Sequence, residues 1–216
     1  MKKIVLIVFC ILTALQVFSQ NQKANEILDE VTRTIKSCNT IQANIVFITE
    51  NKAENISDEN YGQVVLKGEK YKLELSSLGL EIFSNGELIW SYMEDANEVS
   101  ITTIDDETII VMNPARLLTI YQHGFTNRFV EEKKVDGVVV YIIDLFPEGE
   151  ELLEYQKIQI QVDKNHMIIR NVLMEGNDGN NYIVKIDNIK KNIPIDDKIF
   201  VFNKANYPDV EEIDLR

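Results

Sequence analysis

The chain divides by the period of its apolar residues. Between Ala24 and Cys38 they fall three and four apart (Ala24, Ile27, Leu28, Val31, Ile35, Cys38), with Glu26, Asp29, Glu30 and Lys36 on the other side. That spacing predicts a helix packed on a core by one apolar stripe. Beyond Thr40 the period drops to two. Val64 and Leu66, then Tyr71, Leu73 and Leu75, then Ile82 alternate with polar residues. So do the stretches near Phe129, Val138 to Leu145, Ile158 to Val162, Ile168 to Leu173 and Tyr182 to Ile186. Such alternation marks strands with one buried face. Asn85-Gly86, Asp136-Gly137 and Asp178-Gly179 lie between strands and supply the positive φ of tight hairpins. Short strands joined by hairpins predict one antiparallel meander, curved or barrel-like.

One segment interrupts the alternation. In Asn113-Pro114-Ala115-Arg116-Leu117-Leu118, Asn113 is a suitable N-cap and Pro114 occupies the first helical position, where its missing N–H costs nothing. Gly124 closes this short helix, which is expected to lie on a face of the sheet or across its mouth. The Asn85-Gly86 hairpin then sets the facing of its strands. A strict two-residue turn would group Phe83, Leu88 and Trp90 with Glu81. A three-residue turn with Gly86 as a left-handed bulge groups Leu80, Ile82, Leu88, Trp90 and Tyr92, and leaves Glu81, Phe83, Glu87 and Ser91 opposite. The second register separates apolar from polar more cleanly and is the one predicted.

The N-terminus changes the compartment. Lys2-Lys3, an apolar stretch from Ile4 to Val17, and Val17-Phe18-Ser19 have the form of a secretory signal. The stretch falls short of the roughly 20 residues of a spanning helix. Cleavage is expected after Ser19, giving a signal peptide at 1–19 and one domain at 20–216. Cys10 leaves with the signal, because Phe9 stands where a lipoprotein signal wants Gly or Ala. Cys38 then has no partner for an internal disulfide, and the fold must rest on its core. Without Lys2 and Lys3 the 22 basic residues become 20, against 35 acidic ones, for a net charge of −15. Such a chain is repelled by nucleic-acid phosphates and anionic headgroups. A protein of this charge that handles lipid would enclose it instead of adsorbing to a bilayer.

No catalytic or metal-binding pattern stands out. His123 and His166 sit on different segments without ligand spacing, and no Cys/His cluster, phosphate loop or G-x-S-x-G elbow occurs. The carboxylates fall mostly in solvated runs such as Glu148 to Glu151 and Asp209 to Asp214. The expectation is a protein that is not an enzyme and needs no cofactor.

Several segments resemble a known family. Gly62-Gln63-Val64-Val65-Leu66-Lys67-Gly68, Lys70-Tyr71-Lys72-Leu73, and Ser84-Asn85-Gly86-Glu87-Leu88-Ile89-Trp90-Ser91-Tyr92 are similar to the LolA family of outer-membrane lipoprotein carriers. So are Asn113 to Leu118, Ile160 to Lys164, Phe200-Val201-Phe202 and Tyr207 to Arg216, so that nearly the whole mature chain is covered. The resemblance implies an unclosed antiparallel β-barrel of about eleven strands, mainly β, with short α-helices covering its concave face. It implies a monomeric periplasmic carrier that takes acylated lipoproteins from an inner-membrane ATP-driven release complex to an outer-membrane acceptor. In the best-known branch an arginine after the lysine matching Lys67 latches the helical lid. Here that position is Gly68, so the latch is either absent or supplied by another residue, Lys67 or Arg116.

The chemistry expected of such a site is plain. Each buried CH₂ is worth about 0.8 kcal/mol, so exposing one acyl chain costs on the order of 10 kcal/mol. A carrier must offer an apolar surface without fixed hydrogen bonds. The expected lipid-binding set is Tyr71, Leu73, Leu75, Leu80, Ile82, Leu88, Trp90 and Tyr92 from the sheet, faced by Leu28, Val31, Leu117 and Leu118 from the helices. A lipid- or glycolipid-binding, or sensing, module of the envelope on the same fold is the alternative.

Overall fold

The apolar stripe is helical, as its spacing requires. Residues 20–36 form helix α1 and bury Ala24, Ile27, Leu28 and Val31. The computed structural model describes residues 20–104, 121, 124–148 and 154–216. The signal segment 1–19 and the expected helix at Asn113 to Leu118, with Arg116 and His123, lie outside the described residues.

Among the described residues twelve strands follow. They are β1 (Ile41–Asn51), β2 (Ile56–Lys67), β3 (Lys70–Leu75), β4 (Leu80–Ser84), β5 (Leu88–Met93), β6 (Glu98–Thr103), β7 (Phe125–Val135), β8 (Val138–Pro147), β9 (Tyr155–Asp163), β10 (Ile168–Gly176), β11 (Asn181–Lys191) and β12 (Glu211–Asp214). They make one sheet in the order β12-β6-β5-β4-β3-β2-β1-β11-β10-β9-β8-β7. Because β12 and β7 stand at opposite ends of that order, the barrel is unclosed, as the alternation and the family resemblance led one to expect. Every pairing is antiparallel except β12 with β6, which is parallel.

The hairpin signals behave as their chemistry demands. Asp136 and Gly137 both have positive φ (49° and 85°), and Gly179 stands at 85°. Gly62 does different work. A Cβ there would come 1.8 Å from the Glu74 carbonyl oxygen, so only glycine lets β3 approach β2 this closely.

The register of the β4–β5 hairpin corrects the expectation. Gly86 does have positive φ, at 94°. Yet Phe83 pairs with Trp90, Glu81 with Tyr92, and Ser84 with Ile89. Leu88, Trp90 and Tyr92 therefore share the face of Glu81 and Phe83, and Ile89 joins Leu80 and Ile82 on the other. The cause is Asn85, whose side-chain oxygen accepts from the N–H groups of Glu87 (2.9 Å) and Leu88 (2.8 Å). That Asx bond makes Gly86 and Glu87 the centre of the turn and slips the pairing by one residue.

The aromatic residues thereby turned to the convex face are covered by the chain after β11. Short 3₁₀ turns at Asp197–Phe200 and Lys204–Asn206 lead to β12. Phe202 packs edge-on against Phe83 at 5.8 Å and stacks on Tyr207 at 4.5 Å, while Tyr207 lies 4.4 Å from Tyr92. The Tyr207 hydroxyl donates to Glu81 at 3.0 Å, which gives that carboxylate its place among rings.

The concave face carries two apolar clusters. In one, Ala24, Ile27, Leu28 and Val31 of α1 close over Ile143, Leu145, Ile158, Ile160, Val172 and Met174. The other contains Ala43, Ile45, Val64, Leu66, Tyr71, Leu73, Leu75, Leu80, Ile82 and Ile89.

Candidate functional site, an apolar cleft

Between these clusters α1 runs out. Its buried residues from Ala24 to Val31 are spent on the β8–β11 side, so only Thr34, Ile35 and Cys38 face β1, β2 and β3. A cleft opens there. Its cavity measures about 70 Å³, within about 860 Å³ of atom-free space that includes the open mouth. β1 contributes Ile41, Ala43, Ile45 and Phe47 to its walls; β2 and β3 contribute Val64, Leu66, Leu73 and Leu75. Ile168, Ile169, Val184, Ile186 and Ile189 complete the far side, and Lys191 lines the cleft too.

Hydrocarbon walls of this kind bind without direction: they offer contact area and desolvation, with no donor or acceptor to fix a ligand. Apart from Thr34, Cys38 and Lys191, no wall residue has a polar side chain. In the nearby core the Tyr155 phenol stays neutral at physiological pH, because burial, helped by Glu154, pushes it up to about 12.

The rim is fixed by hydrogen bonds. The Asn192 N–H donates to the Thr40 carbonyl (2.8 Å), the Asn39 N–H to the Asn192 side chain (2.7 Å), and the Thr40 hydroxyl to the Ile193 carbonyl (2.7 Å). These bonds tie the exit of α1 to the end of β11, so the two sides of the mouth hold their spacing.

The expected lipid-contacting residues are distributed unevenly. Leu73 and Leu75 are cleft walls. Tyr71, Leu80 and Ile82 share their face and belong to the same apolar cluster, beyond the walls. Leu28 and Val31 lie in the core under α1, away from the cleft. Leu88, Trp90 and Tyr92 are on the convex side, by the register described above. Leu117 and Leu118 lie outside the described residues. Sequence reasoning passed over β1, although Ile41, Ala43, Ile45 and Phe47 repeat with period two and could have been added on that ground alone.

Gly68 and Glu69 form the turn between the paired residues Lys67 and Lys70, and Gly68 has φ 61°, a conformation that suits glycine. Lys67 is engaged elsewhere: its ammonium pairs with Asp197 and reaches the Ile195 carbonyl at 3.4 Å, and Lys70 pairs with the same carboxylate at 2.7 Å. Lys67 thus fastens the C-terminal segment.

The fold is thus an open sheet, antiparallel but for its last pairing, around a hydrocarbon cleft. The chain belongs to the LolA family: the family model described as outer membrane lipoprotein carrier protein LolA matches residues 36–203. An uncharacterized conserved protein from Thermus thermophilus has a similar structure, with TM-score 0.60 and 14% identity over 89% of this chain and 99% of that one. A putative outer membrane lipoprotein-sorting protein domain from Vibrio parahaemolyticus aligns at TM-score 0.49 and 12% identity, over 87% and 99% of the two chains. A LolA superfamily protein from Nitrosomonas europaea aligns at 0.47 and 15%, over 83% and 97%. No functionally curated protein matches this sequence.

Proposed function

We propose that this protein is a periplasmic carrier of lipoproteins, which holds their acyl chains in the cleft between α1 and strands β1, β2, β3, β10 and β11. The observation that carries this reading is the cleft itself, hydrocarbon-walled in a member of the LolA family. The carrier works as a monomer without catalysis or cofactor. It receives cargo from an ATP-driven release complex of the inner membrane and delivers it to an acceptor at the outer membrane. The secretory form of residues 1–19 and the acidic mature chain support that location.

Holding the acyl chains by contact area suits transfer. Hydrogen-bonded recognition would have to be broken at each end of the journey, whereas hydrocarbon contacts are exchanged for similar contacts in the receiving site. The cavity is narrow, so cargo enters by parting α1 from β1–β3. The wall residues on those strands have hydrocarbon side chains, held by packing and not by side-chain hydrogen bonds.

Cys38 supplies the test, because it lines the cleft and is half-buried. Incubation with a triacylated lipoprotein should slow alkylation of Cys38, and the complex should survive pull-down. Ile186→Glu should secrete and fold but lose both effects, since its carboxylate would be left unpaired against acyl chains. Unchanged Cys38 reactivity and failed pull-down would overturn the reading. If free lipids protect Cys38 and lipoprotein does not, the second reading holds, a carrier or sensor of another envelope lipid or glycolipid. Walls of plain hydrocarbon suit that cargo equally.

A further inference from the structure

Among the described residues the cleft has one charged side chain, Lys191, and it stands at the mouth. Lys191 pairs across the sheet with Ile41, itself a wall residue, so the alternation turns Lys191 to the cleft and Lys190 to the other face. Thr34 stands on α1 across the opening. The bonds between Asn39-Thr40 and Asn192-Ile193 hold these two sides together.

A lysine beside a helix C-terminus commonly serves the helix's last carbonyls. Here those carbonyls are used locally: Arg33 O accepts from Ser37 N–H (3.0 Å), Ile35 O from Cys38 N–H (3.0 Å), and Thr34 O from the Ser37 hydroxyl (2.7 Å) and the Cys38 thiol (3.3 Å). Among the described residues no carboxylate pairs with Lys191 either, although acidic side chains outnumber basic ones 35 to 22 over the chain. An unpaired ammonium at the door of a hydrocarbon cleft matches a ligand whose acyl chain ends in a negative charge.

Resting on the reading of the cleft as an acyl-chain site, we infer that Lys191 recognises an anionic headgroup, the carboxylate of a fatty acid or the phosphate of a lysophospholipid, while the chain occupies the cleft. Thr34, also in the lining, would offer its hydroxyl as a second donor. The site would then prefer anionic single-chain amphiphiles to neutral ones of equal length.

The test uses the mature protein at neutral pH and low salt, with displacement of a neutral apolar dye by sodium dodecanoate, dodecyl phosphate and 1-dodecanoylglycerol, each below its micelle concentration. At least one anion should bind about tenfold more tightly than the neutral glyceride, the scale of one charge-assisted hydrogen bond. Lys191→Met should abolish that preference, bringing the anion's affinity to the glyceride's in the same variant; Lys191→Arg should restore it. Preference for dodecanoate alone would point to fatty acids, and for dodecyl phosphate alone to phospholipids. Equal affinities in the unmodified protein, or a preference that survives Lys191→Met, would overturn the inference while leaving the cleft an acyl site. If none of the three displaced the dye, the acyl-chain reading would fall and this inference with it.

Discussion

On the β8–β11 side of the concave face, Ile143, Leu145, Ile158 and Ile160 are sealed beneath Ala24, Ile27, Leu28 and Val31. On the β1–β3 side, Ile45, Val64, Leu66, Leu73 and Leu75 are the same kind of residue in the same alternation, and they border a cleft. The strands do not account for this difference. The helix does, since its apolar stripe ends at Ile35 and Cys38 just as it reaches the second half. Identical strand patterns can thus make a closed core or a binding surface, according to how far a single amphipathic helix extends.

The contrast can be broken most sharply from the sealed side. Ile160 is fully buried in the core under α1. Ile160→Ala should cost about 2–5 kcal/mol of stability, the range for truncating a packed aliphatic residue. Chemical denaturation reads that loss, while the folded protein should bind an apolar dye as before. The convex side comes next. Phe202→Ala would strip the ring that contacts Phe83, Tyr92 and Tyr207. Phe202 is only partly buried, so a smaller loss of about 1–3 kcal/mol is expected, again with dye binding intact. Loss of dye binding here would mean that the convex aromatics communicate with the cleft. Ile186→Ala should be milder still, below about 1 kcal/mol, because its side chain already borders empty space. It should nonetheless change dye affinity. If Ile186→Ala destabilised as much as Ile160→Ala, the two halves would be one continuous core and the distinction would fail.

Much of this fold was legible because periodicity reports backbone geometry directly. The stripe from Ala24 to Val31 and the alternation from Tyr71 to Leu75 each appear as the spacing demands. Facing was less legible. Trp90 and Tyr92 are as apolar as any cavity residue, and the sequence had no local sign that Phe202, Tyr207 and Val210, more than a hundred positions away, would bury the convex side. The deciding signal was Asn85, whose side chain captures two backbone N–H groups and moves the turn by one residue. An Asn before Gly reads equally well as a turn centre and as an Asx cap. The cleft walls contributed by β1 failed to enter the expected set for a different reason: Ile41, Ala43, Ile45 and Phe47 stand in plain alternation with no turn signal or family segment to single them out.

The smallest effect separates the C-terminal segment from the cleft by pH. Hydrogen bonds from Lys67 and then Lys70 hold the Asp197 carboxyl down to about 2, from an ordinary value of 3.8. A carboxylate whose folded pKa is depressed stabilises the attached state above its unfolded pKa, and that contribution disappears as pH falls through the folded value. The window here is pH 3.8 down to about 2. Asp197 is exposed, so salt screens the pair and the effect stays local to the attachment of Asp197–Phe200 and the residues after it. Other carboxylates titrate over the same range, which makes the useful quantity a difference. Hydrogen exchange of residues 197–210 should be faster in Asp197→Asn than in the unmodified protein at pH 5, and the two should converge as pH approaches 2. Dye binding in the cleft should be alike in both at every pH. A gap in exchange that stayed constant from pH 5 to 2 would mean that Asp197 acts by its shape and not its charge. A cleft whose affinity followed the same titration would show that the C-terminal fastening reaches through the sheet to the site on its other face.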